Sequence, residues 1–160
     1  MGLLRSMAAR TRRGRPANAK WFRVASTDTG RRQGAAVKEP HAQEPYSLDS
    51  ARRQVVLNSL KEVCHHRGWT LLAAHVRTNH IHIVITGNCK PEGILIAMKA
   101  YSSRALNKHE LDDIDRRRWA RHGSTSYLWT RDTAQAAIHY VVHGQGEPME
   151  VFEAPASAPR

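Results

Sequence analysis

The sequence predicts an α+β domain: a ferredoxin-like antiparallel sheet of βαββαβ connectivity, with two helices on one face and one further helix near the C-terminal end. Three observations predict it. Windows of apolar residues at helical spacing alternate with windows of strand alternation. They fall in the order β, α, β, β, α, β, α, whose first six elements are the split-βαβ pattern. A chain of 160 residues with 41% hydrophobic content suits one domain with one core.

Residues 1–27 hold seven Lys/Arg and no acidic residue, a composition shared with transit peptides. We read residues 1–20 as a basic, disordered arm that touches phosphates. The domain is expected to span 21–151, and 152–160 to be a disordered tail. "WFRVAS" (21–26) reads as the first strand. Residues 27–45 are rich in Gly, Pro and charge and read as a loop. A helix is predicted over 47–67, with Val56, Leu60, Val63 and Cys64 as its apolar stripe. Ser47 is the expected cap at its start and Gly68 at its end.

"WTLLAAHV" (69–76) is apolar on both faces, as a central strand should be. A turn at 77–79 leads into "NHIHIVITG" (79–87), so the two strands form a hairpin. Here the alternation carries chemistry. Ile81, Ile83 and Ile85 point one way and call for a core; His80, His82 and Val84 point the other. In a ferredoxin-like sheet the first and third strands are central neighbours. The imidazoles then project from mid-sheet, on the face away from the two helices, and two at i and i+2 can hold one ion between them.

Pro91 and Glu92 open a second helix to about 108, with Ile94, Met98, Tyr101 and Ala105 on one side. Residues 109–123 are highly charged. "STSYLWT" (124–130) reads as the last strand. A final helix, capped by Asp132 or Thr133, ends near Gly144. Its packing stripe is Ala134, Ala137, Ile138 and Val141. Tyr140 falls off that stripe, with His143 three residues on at its side. The helix is expected to cover part of the histidine face and to bring a phenol and an imidazole toward the pair. A tyrosine becomes a competent nucleophile when its proton is removed or its target activated. A metal on a scissile phosphate does the latter.

The balance of charge is +11, with Lys+Arg 25 against Asp+Glu 14. That excess favours a polyanionic partner, nucleic acid first and an acidic membrane surface second. Lys99 and Arg104 on the second helix, and the run Arg116, Arg117, Arg118 and Arg121, are the candidate contacts to a DNA backbone. Trp119 and Trp129 are candidates for stacking on unpaired bases. No apolar run is long enough to span a bilayer, and the N-terminal residues lack the apolar core of a secretory signal. Cys64 and Cys89 form no CxxC pair, which argues against a zinc ribbon or disulfide scaffold and for a reduced, cytoplasmic setting.

"HVRTNHIHIVITG" (75–87) resembles the histidine–hydrophobe–histidine signature of single-tyrosine HUH transposases, including the REP-associated tyrosine transposases. "IHYVVHGQGEP" (138–148) resembles their catalytic tyrosine helix. The resemblance runs from about Trp21 to Val151. It implies a ferredoxin-like fold with a C-terminal catalytic helix, a magnesium or manganese ion, and attack of the tyrosine on single-stranded DNA. The products would be a 5′-phosphotyrosine link and a free 3′-OH, with a DNA hairpin as the recognition element. It implies a bacterial, nucleoid-associated protein, with either a homodimer that exchanges tyrosine helices or a monomer. Mapped residue by residue, His80 and His82 are metal ligands and Tyr140 is the nucleophile.

One departure stands out. The family usually places Gln or Asn four residues after the tyrosine as third ligand, and that position here is Gly144. The expected substitutes are His143, slightly preferred because it needs no rearrangement, and Gln145, which Gly144 would let fold back. The departure keeps a second function open: a domesticated, non-catalytic protein that binds single-stranded DNA hairpins. A phosphodiesterase using paired histidines ranks last, because no second H-x-[ST]-like motif is present. Two or three imidazoles also favour manganese over the oxygen-seeking magnesium ion.

Overall fold

The computed structural model describes residues 20–27 and 43–155. Its elements are β1 (Lys20–Thr27), α1 (Ser50–Arg67), β2 (Thr70–Val76), β3 (His80–Gly87), α2 (Pro91–Lys108), β4 (Ser124–Leu128), α3 (Arg131–His143) and β5 (Glu150–Glu153). The sheet order is β4-β1-β3-β2-β5, with every neighbouring pair antiparallel. The first four strands stand in the ferredoxin-like arrangement, with β1 and β3 at its centre. Of the proposed arm (1–20), Lys20 belongs to β1 and residues 1–19 lie outside the described residues, as does most of the predicted 27–45 loop.

The two sheet faces follow from the alternation in β3. Ile81, Ile83 and Ile85 are buried in the main core with Val56, Leu60 and Val63 of α1 and Ile94, Met98 and Leu106 of α2. The opposite face carries a smaller cluster, in which Val84 and Ala73 pack against Val141 of α3, flanked by Ala137, Ile138 and Leu128. So α3 covers part of the histidine face, on the predicted stripe. A register shift between Leu71 and Ala73 lets Leu72 and Ala73 both join this second cluster.

Three boundaries differ from expectation. The N-cap of α1 is Asp49, not Ser47; its carboxylate accepts the Arg52 N–H at 2.8 Å. Gly68 does close the helix in the left-handed conformation, φ 66°. The cap of α3 is Thr130, one turn before Thr133, and the two form a reciprocal capping box; Asp132 lies within the first turn. The tail begins later than predicted, because β5 takes Phe152 and Glu153 into the sheet beside β2, and Ala154 N–H still donates to Leu72 O at 2.9 Å. Residues 156–160 lie outside the described set.

The charged segment 109–123 is tied down by a buried ionic hub. Asp112 accepts from the Tyr46 hydroxyl at 2.5 Å, from Arg52 Nε at 3.0 Å and from Arg118 Nε at 3.0 Å. Arg118 Nη2 also donates to Asn107 Oδ1 at 2.6 Å. Trp119 Nε1 donates to Ser103 Oγ at 2.8 Å, and Lys99 Nζ to Ala120 O at 2.7 Å. The hub touches the histidine hairpin as well: beside the buried Tyr46, Leu48 N–H donates to Thr78 O at 2.6 Å and clamps the β2–β3 turn.

Candidate active site

His80 and His82 leave the same face of β3 because strand side chains alternate. Their rings meet edge to face, with centroids 5.1 Å apart. Tyr140 comes from the last full turn of α3; its ring stands edge-on to His82, centroids 6.1 Å apart, and it is 45% exposed. A pair of half-buried imidazoles and an accessible phenol therefore share one side of the sheet.

The tautomer of His80 follows from its neighbours. Its Nδ1–H donates to Asn79 Oδ1 at 2.7 Å, which leaves Nε2 as the nitrogen that can bind an ion. His80 Nε2 lies 3.3 Å from Gln145 Oε1. Two acceptors so placed can share one cation. Two ligands of one ion, each bound at about 2.1 Å, stand roughly 3.0–3.5 Å apart. A histidine ligand whose other nitrogen donates to an amide oxygen is the usual outer-shell arrangement. The Gln145 amide is half-buried, and its Nε2 has no hydrogen-bond partner among the described residues. His80 Nε2 and Gln145 Oε1 are thus spaced as two ligands of one ion would be, with the His82 ring beside them. Among the described residues no group of three His, Cys, Asp or Glu side chains gathers to hold a metal, so the set depends on Gln145 and contains no carboxylate. A neutral set of this kind suits manganese better than magnesium.

His143 does not join. Its exposed ring packs against His139, one turn back, at 4.9 Å between centroids. Of the two candidates, Gln145 is the one that lies beside His80. After the helix closes at Gly144, the chain turns through Gly146 at φ 78°, and this tight turn carries Gln145 back to the sheet.

Sequence reading missed His75. It lies opposite His82 in the β2–β3 register and is fully buried. Its Nδ1–H donates to Val141 O at 3.1 Å, and its Nε2 accepts Met149 N–H at 3.2 Å. Burial pushes its pKa down; the Val141 carbonyl opposes this, and the charges of Arg77 and His80 add to the lowering. A neutral imidazole thereby fastens both the tyrosine helix and the segment after it to the sheet. Arg77 reinforces the clasp, donating to Glu147 O at 2.9 Å. The signal was present in the sequence: His75 has the parity of the histidine face once the hairpin register is known, but it sits inside an apolar run.

The basic residues divide. Arg118 is buried in the ionic hub and Lys99 is spent on a loop carbonyl, which removes both from the accessible set. Burial lowers the Lys99 pKa. Arg116 is half-buried, with Nη1 donating to Gln43 at 3.1 Å and Nη2 to the Glu44 carbonyl at 2.5 Å. Arg104 is exposed and lies over the Tyr101 ring at 4.5 Å; Arg117 and Arg121 are exposed. Trp119 is a packing residue, whereas Trp129 is 77% exposed and stacks on Tyr127 at 5.1 Å and 14°.

With this geometry in place, comparison with known proteins adds the following. The family model described as "Transposase IS200 like" matches residues 42–141. A search of the curated proteins returns no match. Among solved structures, a REP-associated tyrosine transposase bound to a REP hairpin is similar in fold, with TM-score 0.54 and 12% identity over 79% of this chain. The chain covers 66% of that protein's length. A candidate transposase from Deinococcus radiodurans R1 matches with TM-score 0.45 and 16% identity, over 82% of this chain and 95% of its own. No described helix is long and apolar enough to cross a membrane.

Proposed function

The chain belongs to the IS200-like transposase family, and on that premise we propose that it cuts and rejoins single-stranded DNA through a covalent link to Tyr140. The observation that carries this reading is the Tyr140 ring edge-on to His82, beside His80 Nε2 and a Gln145 amide oxygen 3.3 Å apart. In the proposed step Tyr140 Oη attacks a backbone phosphorus, and the P–O3′ bond breaks as the new P–O bond forms. The phenol gives up its proton, and the departing 3′ oxygen takes one to become a hydroxyl. The DNA is left joined by its 5′ phosphate to the tyrosine. The reverse attack by a 3′-OH rejoins a strand.

His80, His82 and Gln145 would hold the divalent ion, manganese in preference to magnesium. When bound there it would draw charge from the scissile phosphate and stabilise the leaving oxygen. Asn79 keeps the His80 ring in the tautomer with Nε2 free to bind. His75 holds α3 against β2, so that the phenol meets His82 of its own chain. A DNA hairpin is the natural recognition element, as in the structural relative bound to a REP hairpin. Arg104, Arg117 and Arg121, which are exposed, are the proposed contacts to its backbone.

The test is incubation with labelled single-stranded hairpin DNA and manganese, followed by a denaturing gel. The wild-type chain should give a shifted, covalent band that Tyr140→Phe lacks. A band that survives the substitution would remove Tyr140 from the mechanism. The second reading, a hairpin binder without catalysis, is favoured by the lack of a carboxylate in the site among the described residues. Its signature is binding with no covalent band in any divalent ion.

Trp129 gives a separate expectation. One face of its indole rests on Tyr127 while the residue stays largely exposed, a platform on which an unpaired base can stack. Trp129→Ala should weaken binding of a hairpin with a single-stranded flank by about 1–3 kcal/mol. Trp129→Phe should keep most of the affinity, and a bare hairpin should bind all three proteins alike. Fluorescence anisotropy would measure this, and equal losses on flanked and bare hairpins would refute it.

A further inference from the structure

We propose that Gly144 is a positioning residue for Tyr140: its missing side chain leaves the space the phenol ring occupies beside His82, and the site's amide donor stands one residue later, at Gln145, for that reason. The inference rests on the reading of Tyr140 as nucleophile.

Backbone conformation does not explain this glycine. Gly144 has φ −89° and ψ 9°, which any residue adopts. Gly68 and Gly146, at φ 66° and 78°, are the positions where a left-handed turn calls for glycine. At Gly144 the constraint is space. A Cβ there would stand 2.6 Å from Tyr140 Cδ2, 2.9 Å from Tyr140 O and 3.2 Å from Tyr140 Cα. Carbon atoms in contact sit at about 3.5–4.0 Å. The backbone cannot easily withdraw, because Gly144 N–H donates to Tyr140 O at 2.8 Å and closes the last turn. The ring must then swing, and it swings off the edge of His82.

Two facts at this corner fit together. A side chain at 144, where a third ligand was expected, would displace the nucleophile. The next residue supplies an amide instead: Gln145 Oε1 reaches His80 Nε2 at 3.3 Å through the turn that Gly146 permits. Tyrosine clearance and amide placement are thus divided between adjacent positions. Restoring glutamine at 144 should therefore impair the protein.

The experiment compares Gly144→Ala, Gly144→Gln and Tyr140→Phe in two assays. In the first, single-turnover formation of the covalent DNA adduct should fall roughly 100-fold in Gly144→Ala, the size expected for a misplaced reacting group. Hairpin affinity should stay within about twofold of wild type, because no ground-state DNA contact is touched. Gly144→Gln should fall at least as far. In the second, metal-free protein is labelled with 3-fluorotyrosine, giving one 19F resonance for each of the 4 tyrosines. The resonance missing from Tyr140→Phe belongs to Tyr140, and in Gly144→Ala it should move while the other three stay.

A glycine needed only to clear the backbone at the helix end would lower the melting temperature while leaving the Tyr140 resonance and the adduct rate unchanged. An unmoved Tyr140 resonance, or an adduct rate equal to wild type, overturns the proposal. So does a shift of all four resonances with a lowered melting temperature, which marks general damage to the helix. Failure of the nucleophile reading looks different: the adduct then persists in Tyr140→Phe itself.

Discussion

Replacing His80 or His82 with alanine is expected to abolish manganese-dependent strand cleavage, slowing adduct formation by about 10²–10³-fold or more. That is the scale of the several kcal/mol of charge stabilisation a bound ion contributes at a phosphoryl centre. The two variants should differ in manner. His80→Ala removes the ring that Asn79 orients and leaves Gln145 Oε1 facing nothing. His82→Ala removes the second proposed ligand and the ring against which Tyr140 stands. Both should therefore lose manganese affinity, seen by calorimetry, while keeping affinity for the hairpin. With only neutral donors, the wild-type site should saturate at lower manganese than magnesium concentration. Wild-type cleavage by either variant would show that the pair holds no catalytic ion.

The second large effect concerns stability. Asp112→Asn should destabilise the fold by about 3–5 kcal/mol, the usual result of removing one partner from a buried ion pair. Side-chain exposure is 7% for Asp112 and 3% for Arg118, so the guanidinium would be left uncompensated out of water. Melting should drop by roughly 10–20 °C, with a matching loss in urea titrations. Burial alone pushes the Asp112 pKa up, but hydrogen bonds from Tyr46, Arg118 and Arg52 together outweigh it and hold the value below the ordinary one. The same contact, after burial, raises the Tyr46 pKa to about 12. Because the folded-state carboxyl pKa is depressed, its stabilisation is complete above about pH 4, the unfolded value. It is lost as pH falls through the lower folded value. The variant should lack that acid-dependent component, and equal acid profiles for the two proteins would argue against the hub.

The fold was legible wherever one element carried its own period. In β3 the isoleucines and histidines separate by parity, and that alone predicted a buried face and a reactive face. The stripe of Ala134, Ala137, Ile138 and Val141 likewise predicted how α3 sits. What stayed hidden depends on partners distant in sequence. β5 is four residues of unremarkable composition, and it becomes a strand by pairing with the β2 edge. Arg118 belongs to a run that looks solvated, yet it turns inward because Asp112, Asn107 and the Asp113 carbonyl receive it. His75 disappears into an apolar stretch until the hairpin register sets it opposite His82. Which of His143 and Gln145 approaches His80 depends on the geometry after Gly144, where helical spacing no longer applies.

The central claim is that the phenol of Tyr140 forms the bond to DNA. Its most direct test is mass spectrometry of the covalent complex after nuclease trimming and tryptic digestion. Cleavage after Arg131 leaves residues 132–160 as one peptide, with Tyr140 as its single tyrosine. The account predicts a nucleotide carried through a 5′ phosphate on Tyr140 of that peptide. A nucleotide found on a peptide containing Tyr46, Tyr101 or Tyr127, or on a residue other than tyrosine, would contradict it.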